Sequence, residues 1–72
     1  MTPRLKNERQ REVLFWAARG KTSSDTAAIL GISARTVEVH RLAACRALGA
    51  VNLPNAVALA MAANLIALGD AA

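Results

Sequence analysis

Ala27-Ala28-Ile29-Leu30-Gly31-Ile32-Ser33-Ala34-Arg35-Thr36-Val37 is where the architecture becomes legible. Gly31 follows a short apolar run and stands where a left-handed residue stops a helix. Ser33, two residues later, has the side chain that best caps a new helix. Two helices joined only by Gly31-Ile32-Ser33 make a helix, a tight turn and a helix. Ile32 is apolar and is expected to plug the core beneath that turn.

Upstream, Thr22 is the expected N-cap of the second helix, and Asp25 at its third position can reach back to the Thr22 N–H. Ala27, Ala28 and Leu30 are expected to face inward from it. A first helix is expected from Glu8 to Arg19. Asn7 caps it with Gln10 as partner, and Gly20 ends it. Gln10, Val13, Trp16 and Ala17 share its buried face, Leu14 flanks that face, and Phe15 points outward.

Downstream, the third helix runs from Ala34 to Leu48, with Val37, Ala44 and Leu48 buried and Gly49 as its stop. Asn52 caps a fourth helix, with Pro54 in its first turn, and the pattern carries it to about Leu68, before Gly69. No charged residue occurs between Arg46 and Asp70. A helix apolar all round must be covered on both sides. Val57, Met61, Asn64 and Leu68 are expected to face the other helices. Leu59, Ala62, Ala63 and Ile66 are expected to face a second copy of the chain, so that Asp at Leu59 or Ile66 would break the dimer and leave the monomer folded. A membrane span does not fit, because the run is short and Asn52, Pro54, Asn55 and Asn64 interrupt it.

The chain has 72 residues, one domain at most. Residues 1–6 read as a linker or tail and 7–69 as the domain. A hydrophobic share of 54 % excludes a chain disordered by composition. Phe15 and Trp16 are the only aromatics, and alanine, the best helix former, is abundant. The fold class is therefore all-α. A net charge of +4 on so small a body suits an anionic partner, nucleic acid or an acidic membrane surface. One cysteine, Cys45, and one histidine, His40, allow neither an internal disulfide nor a Cys/His zinc site within the chain. The basic start is not followed by the apolar segment of a secretory signal, which favours the cytoplasm.

Counted at 3.6 residues per turn, the outer side of the third helix holds Arg35, Glu38, Val39, Leu42 and Arg46. A merely solvated face would not choose Val39 and Leu42. Apolar side chains in a major groove can touch thymine methyls, a carboxylate can accept from cytosine N4, and arginine can pair with guanine or phosphate. Val39 and Leu42 can therefore meet thymine methyls and Glu38 cytosine N4, while Arg35 and Arg46 can pair with phosphate or guanine. Helix starts offer free N–H groups to phosphate. The second helix opens on Lys21, Thr22, Ser23 and Ser24, and the third on Ser33, Arg35 and Thr36. With His40 and Arg46, these are the expected phosphate-facing residues.

The run Arg11-Glu12-Val13-Leu14-Phe15-Trp16-Ala17-Ala18-Arg19-Gly20-Lys21-Thr22, then Ala27 to Ser33, then Arg35-Thr36-Val37-Glu38-Val39-His40 and Leu48-Gly49, resembles the LuxR-type helix-turn-helix family. The resemblance covers about Asn7 to Leu68. Trp16 with Gly20-Lys21-Thr22 looks most like its quorum-sensing branch. The resemblance implies a four-helix domain without a wing, whose third helix, about residues 34–48, reads double-stranded DNA in the major groove. By family position it also implies that Glu38, Val39 and Leu42 face bases, that Thr22, Thr36 and nearby basic residues face phosphates, and that the fourth helix mediates homodimerisation. An upstream domain binding an acyl-homoserine lactone follows from the same likeness, and RNA polymerase is a candidate partner. Two departures stand out. Family members often carry cations at the positions of Glu38 and Leu42, so the target sequence does not follow from those relatives. Thr2-Pro3-Arg4 looks like the family's opening but lies five residues early.

Other signals are weaker. Gly20-Lys21-Thr22 is not the end of a phosphate-binding loop, because that motif needs a glycine where Phe15 stands. Arg41 is expected to bury its stem with its head free, and Cys45 to fill space at the core boundary. Too few titratable groups cluster for catalysis. A protein-interaction module using the fourth helix and Phe15 is the alternative function.

Overall fold

The computed structural model describes residues 8–67. It holds four helices: α1 (Glu8–Ala18), α2 (Ser23–Leu30), α3 (Ala34–Leu48) and α4 (Leu53–Ala62). Asn7, the tail 1–6, Leu68 and Gly69 lie outside the described residues. No single helix among those described is long and apolar enough to cross a membrane.

The caps follow the sequence. Thr22 and Asp25 form a reciprocal capping box at the start of α2. Ser33 Oγ accepts from the Thr36 N–H at the start of α3, and Asn52 accepts from the Asn55 N–H at the start of α4. The turn between α2 and α3 depends on Gly31, whose φ is +71°. The Gly31 and Ile32 N–H groups both return to the Ala27 carbonyl, and Ile32 then packs against Val13, Ala27 and Val37. A Cβ added at Gly31 would meet nothing within 4 Å, so an alanine there suffers only the left-handed backbone cost. Gly31→Ala is expected to lower stability by about 1 kcal/mol, read as a fall in urea midpoint at constant slope. A more stable variant would show that the turn does not need the left-handed conformation.

Two apolar clusters make the core, and α1 supplies both. Val13 packs with Ala27 and Val37 under the α2–α3 turn. Its neighbour Leu14, about 100° further round the helix, packs with Ala44, Leu48, Ala56, Ala60 and Ile66. Val13, Leu14 and Val37 are fully buried, each stabilising by about 1.5–3 kcal/mol. Thr26 is also fully buried, and its hydroxyl donates to the Thr22 carbonyl at 2.9 Å.

Several sequence expectations need correction. Leu14 is core and does not merely flank it, while Trp16 and Ala17 are only half-buried. The inward positions of α2 are Thr26 and Ala27, with Leu30 half-buried; Ala28 is exposed. Phe15 is half-buried against the Leu14 cluster. The Arg19 guanidinium lies 3.6 Å from its ring centroid, and Trp16 meets it edge-on.

The largest correction concerns α4, which ends at Ala62 and not near Leu68. Asn64 adopts φ +61°. The Asn64 N–H reaches the Met61 carbonyl and the Leu65 N–H reaches that of Ala60. That pair of bonds is the usual left-handed helix stop, with asparagine in glycine's place. The chain folds back, and Ile66 enters the core at 7 % exposure. The inner face of α4 is Ala56 and Ala60, while Met61 and Asn64, expected inside, are exposed.

Candidate nucleic-acid interface

α3 is held by its buried positions Val37, Ala44 and Leu48, which leaves its opposite side to solvent. Arg35, Glu38, Val39, Leu42 and Arg46 are all exposed there. Val39 is 57 % and Leu42 53 % exposed, large values for aliphatic side chains on a packed helix. From Arg35 to Arg46 the face runs about 16 Å along the axis at 1.5 Å per residue. A helix of this kind fits a groove about 12 Å wide.

The start of α2 lies beside this face. Ser23 Oγ donates to Glu38 Oε2 across the two helices. Arg41 Nη2 donates to the Lys21 carbonyl at 2.9 Å, so the Arg41 head is not free, and its Nε is buried without a partner. Lys21, Thr22 and Ser24 are exposed, and Ser23 is half-buried. At the start of α3, Ser33 and Arg35 are exposed and Thr36 is half-buried. The Ser33 and Thr36 hydroxyls lie 2.8 Å apart. His40 is half-buried.

Charge is segregated in the same way. On α1, Arg9 pairs with Glu12 at 2.9 Å and Arg11 with Glu8 at 3.8 Å. These exposed pairs contribute a few tenths of a kcal/mol at most, yet they cancel the charge of that helix. α4 carries no charged residue. The positive excess among the described residues therefore falls between Arg19 and Arg46. There Arg19, Lys21, Arg35, Arg41 and Arg46 outnumber Asp25 and Glu38.

The predicted base-facing set is thus on one surface. Of the phosphate-facing set, Lys21, Thr22, Ser24, Ser33, Arg35 and Arg46 are exposed around it. Thr22 and Ser33 already serve as caps, and Ser23 serves Glu38. The predicted dimer set is not on one surface. Ala62 is exposed, Leu59 and Ala63 are half-buried with Leu59 against the core, and Ile66 is inside it.

Two contacts were not foreseen, Ser23 to Glu38 and Arg41 to Lys21. Arg41 stands four residues after Val37, which places it on the core side of α3. A turn carbonyl near that side needs a donor, and that is the signal that was available.

Residues 7–60 match the family model described as bacterial regulatory proteins, luxR family. The chain belongs to that family. As a LuxR-family DNA-binding domain it has the helix-turn-helix of α2 and α3 inside an all-α body. It is 48 % identical over 58 residues to the transcriptional activator protein BjaR1 of Bradyrhizobium diazoefficiens, covering 81 % of this chain and 24 % of that protein. It is 47 % identical over 60 residues to the quorum sensing-dependent transcriptional regulator RpaR of Rhodopseudomonas palustris, covering 83 % and 25 %. It is 39 % identical over 67 residues to the regulatory protein SdiA of Escherichia coli, covering 92 % and 28 %. This LuxR-family chain thus spans about a quarter of the length of the curated relatives it matches. No solved structure matches it.

Proposed function

We propose that this chain reads a specific double-stranded DNA sequence as the C-terminal output domain of a quorum-sensing-type transcriptional regulator. α3 lies in the major groove, with Glu38, Val39 and Leu42 toward base edges. Lys21, Thr22, Ser24, Ser33, Arg35, Thr36, His40 and Arg46 lie toward phosphates. The observation that carries this is the outer face of α3, where two exposed aliphatic side chains and a carboxylate sit between Arg35 and Arg46. Water gives no reason to expose Val39 and Leu42 together, whereas thymine methyls do.

Two copies bind two half-sites about one helical turn apart, packed through the uncharged outer side of α4 around Ala62. The complete regulator is cytoplasmic and carries an acyl-homoserine-lactone-binding domain upstream. RNA polymerase is its partner at the promoter. The domain itself does no catalysis and needs no cofactor.

The test is selection from a pool of random duplexes at two salt concentrations. Enrichment of a short, roughly palindromic site is expected. Glu38→Ala is expected to relax the preference at one position per half-site, by about 1–3 kcal/mol of discrimination. Arg35→Ala is the contrast and weakens all duplexes alike, because phosphate contacts carry no sequence information. Equal weakening of every duplex by Glu38→Ala would refute the base-facing role of Glu38.

A further inference from the structure

Glu38 is the one base-facing candidate whose side chain another residue holds. It is exposed on α3 and, by itself, free to rotate about three bonds. Ser23, the first residue of α2, donates its hydroxyl to Oε2. One turn further along α3, Arg41 donates to the Lys21 carbonyl at 2.9 Å. These two bonds pin the same stretch of α3 to Lys21–Ser23.

We infer that Ser23 is a positioning residue for base selection. Its hydroxyl fixes the Glu38 carboxylate so that Oε1 meets an exocyclic amino group in the major groove. This rests on the DNA-reading role proposed above for Glu38, and it assigns Ser23 a duty other than contact with phosphate. The serine proton is spent on the carboxylate, so it is not offered to the DNA backbone. Each carboxylate oxygen can accept more than one hydrogen bond, but the hold on Oε2 sets the direction in which Oε1 accepts. That is the requirement for choosing cytosine, whose N4 amino group donates, over bases that present only acceptors at that point. Lys21 and Arg41 set the frame, because the clamp on the Lys21 carbonyl keeps Ser23 at a constant distance from α3.

Ser23→Ala removes the hydroxyl and leaves the cap of α2 in place, since Thr22 and not Ser23 is the capping residue. The experiment repeats the random-duplex selection with the 72-residue chain, Ser23→Ala, Glu38→Ala, the double variant and Ser23→Thr. Ser23→Ala is expected to lose roughly fivefold in discrimination, the lower end of one good side-chain–base contact. The loss falls at the same position that Glu38→Ala relaxes, with binding to a duplex lacking the site unchanged. The double variant is expected to match Glu38→Ala alone, and Ser23→Thr to restore the preference. Uniform loss of affinity for all duplexes in Ser23→Ala, adding to the effect of Glu38→Ala, overturns the inference in favour of phosphate contact. Relaxation by Glu38→Ala without any by Ser23→Ala overturns the inference alone. No enriched site for the native chain, or an unaltered preference in Glu38→Ala, overturns the base-reading role and the inference with it.

Discussion

Ile66→Asp is expected to abolish the cooperative helical transition of this chain, while Ala62→Asp is expected to leave it intact. Ile66 is 7 % exposed and shares a cluster with Leu14, Ala44, Leu48, Ala56 and Ala60. Removing such an aliphatic side chain costs about 2–5 kcal/mol through lost transfer energy and the space left behind. An unpaired carboxylate in the same place adds several kcal/mol or forces the segment out of the core. A domain of this size has a total stability of about 4–11 kcal/mol at 0.05–0.15 kcal/mol per residue. The substitution therefore removes most or all of it. Ala62 is exposed at the end of α4, where a surface change is worth about 0.5 kcal/mol or less. Thermal unfolding followed by far-ultraviolet circular dichroism distinguishes the two. An Ile66→Asp chain that melts like the native one would return Ile66 to the outer face, where the sequence pattern placed it.

That pattern shows which parts of the fold could be read from residues alone. Caps are local chemistry. Thr22, Ser33 and Asn52 announce themselves by a side chain and its spacing to the next turn, and each was found where expected. Gly31 and Gly49 announce helix ends for the same reason. Asn64 did not, because asparagine is only an occasional left-handed residue and apolar residues continue on both sides of it. Carrying α4 past it puts Ile66 on the wrong side, on a dimer face and not in the core. Leu14 and Phe15 failed for a different reason. A single buried stripe does not describe α1, which is wedged between two clusters. Its buried arc is wider than one stripe, so neighbours Val13 and Leu14 both go inside. The exposed face of α3 was legible because the period fixes it once Val37, Ala44 and Leu48 are known. The hydrogen bond from Ser23 to Glu38 was not, because it depends on how two helices cross.

Between 50 and 200 mM salt, binding to an enriched duplex is expected to weaken by a factor on the order of 10³ if two copies bind together. Each phosphate neutralised releases counterions, and the logarithm of affinity falls with the logarithm of salt at a slope of about 0.9 per phosphate. Lys21, Arg35 and Arg46 are the exposed cations around the outer face of α3. Arg41 is spent on the Lys21 carbonyl, and Arg19 is stacked on Phe15. Three contacts give a slope near −2.7 for one copy, a loss of about 40-fold over that fourfold change in salt. Two copies on two half-sites double the slope and bring the loss to about 2,000-fold. Titrations at four or five salt concentrations therefore report how many copies are engaged as well as whether phosphates are contacted. A slope near −2.7 would mean that each half-site is read by an independent chain and that α4 does not pair copies at these concentrations. A slope near zero would contradict DNA as the partner, since a chain that neutralises phosphates cannot avoid releasing counterions. Removing Lys21 by Lys21→Ala should flatten the line by about 0.9 per copy, which ties the measured slope to a named side chain and not to net charge alone.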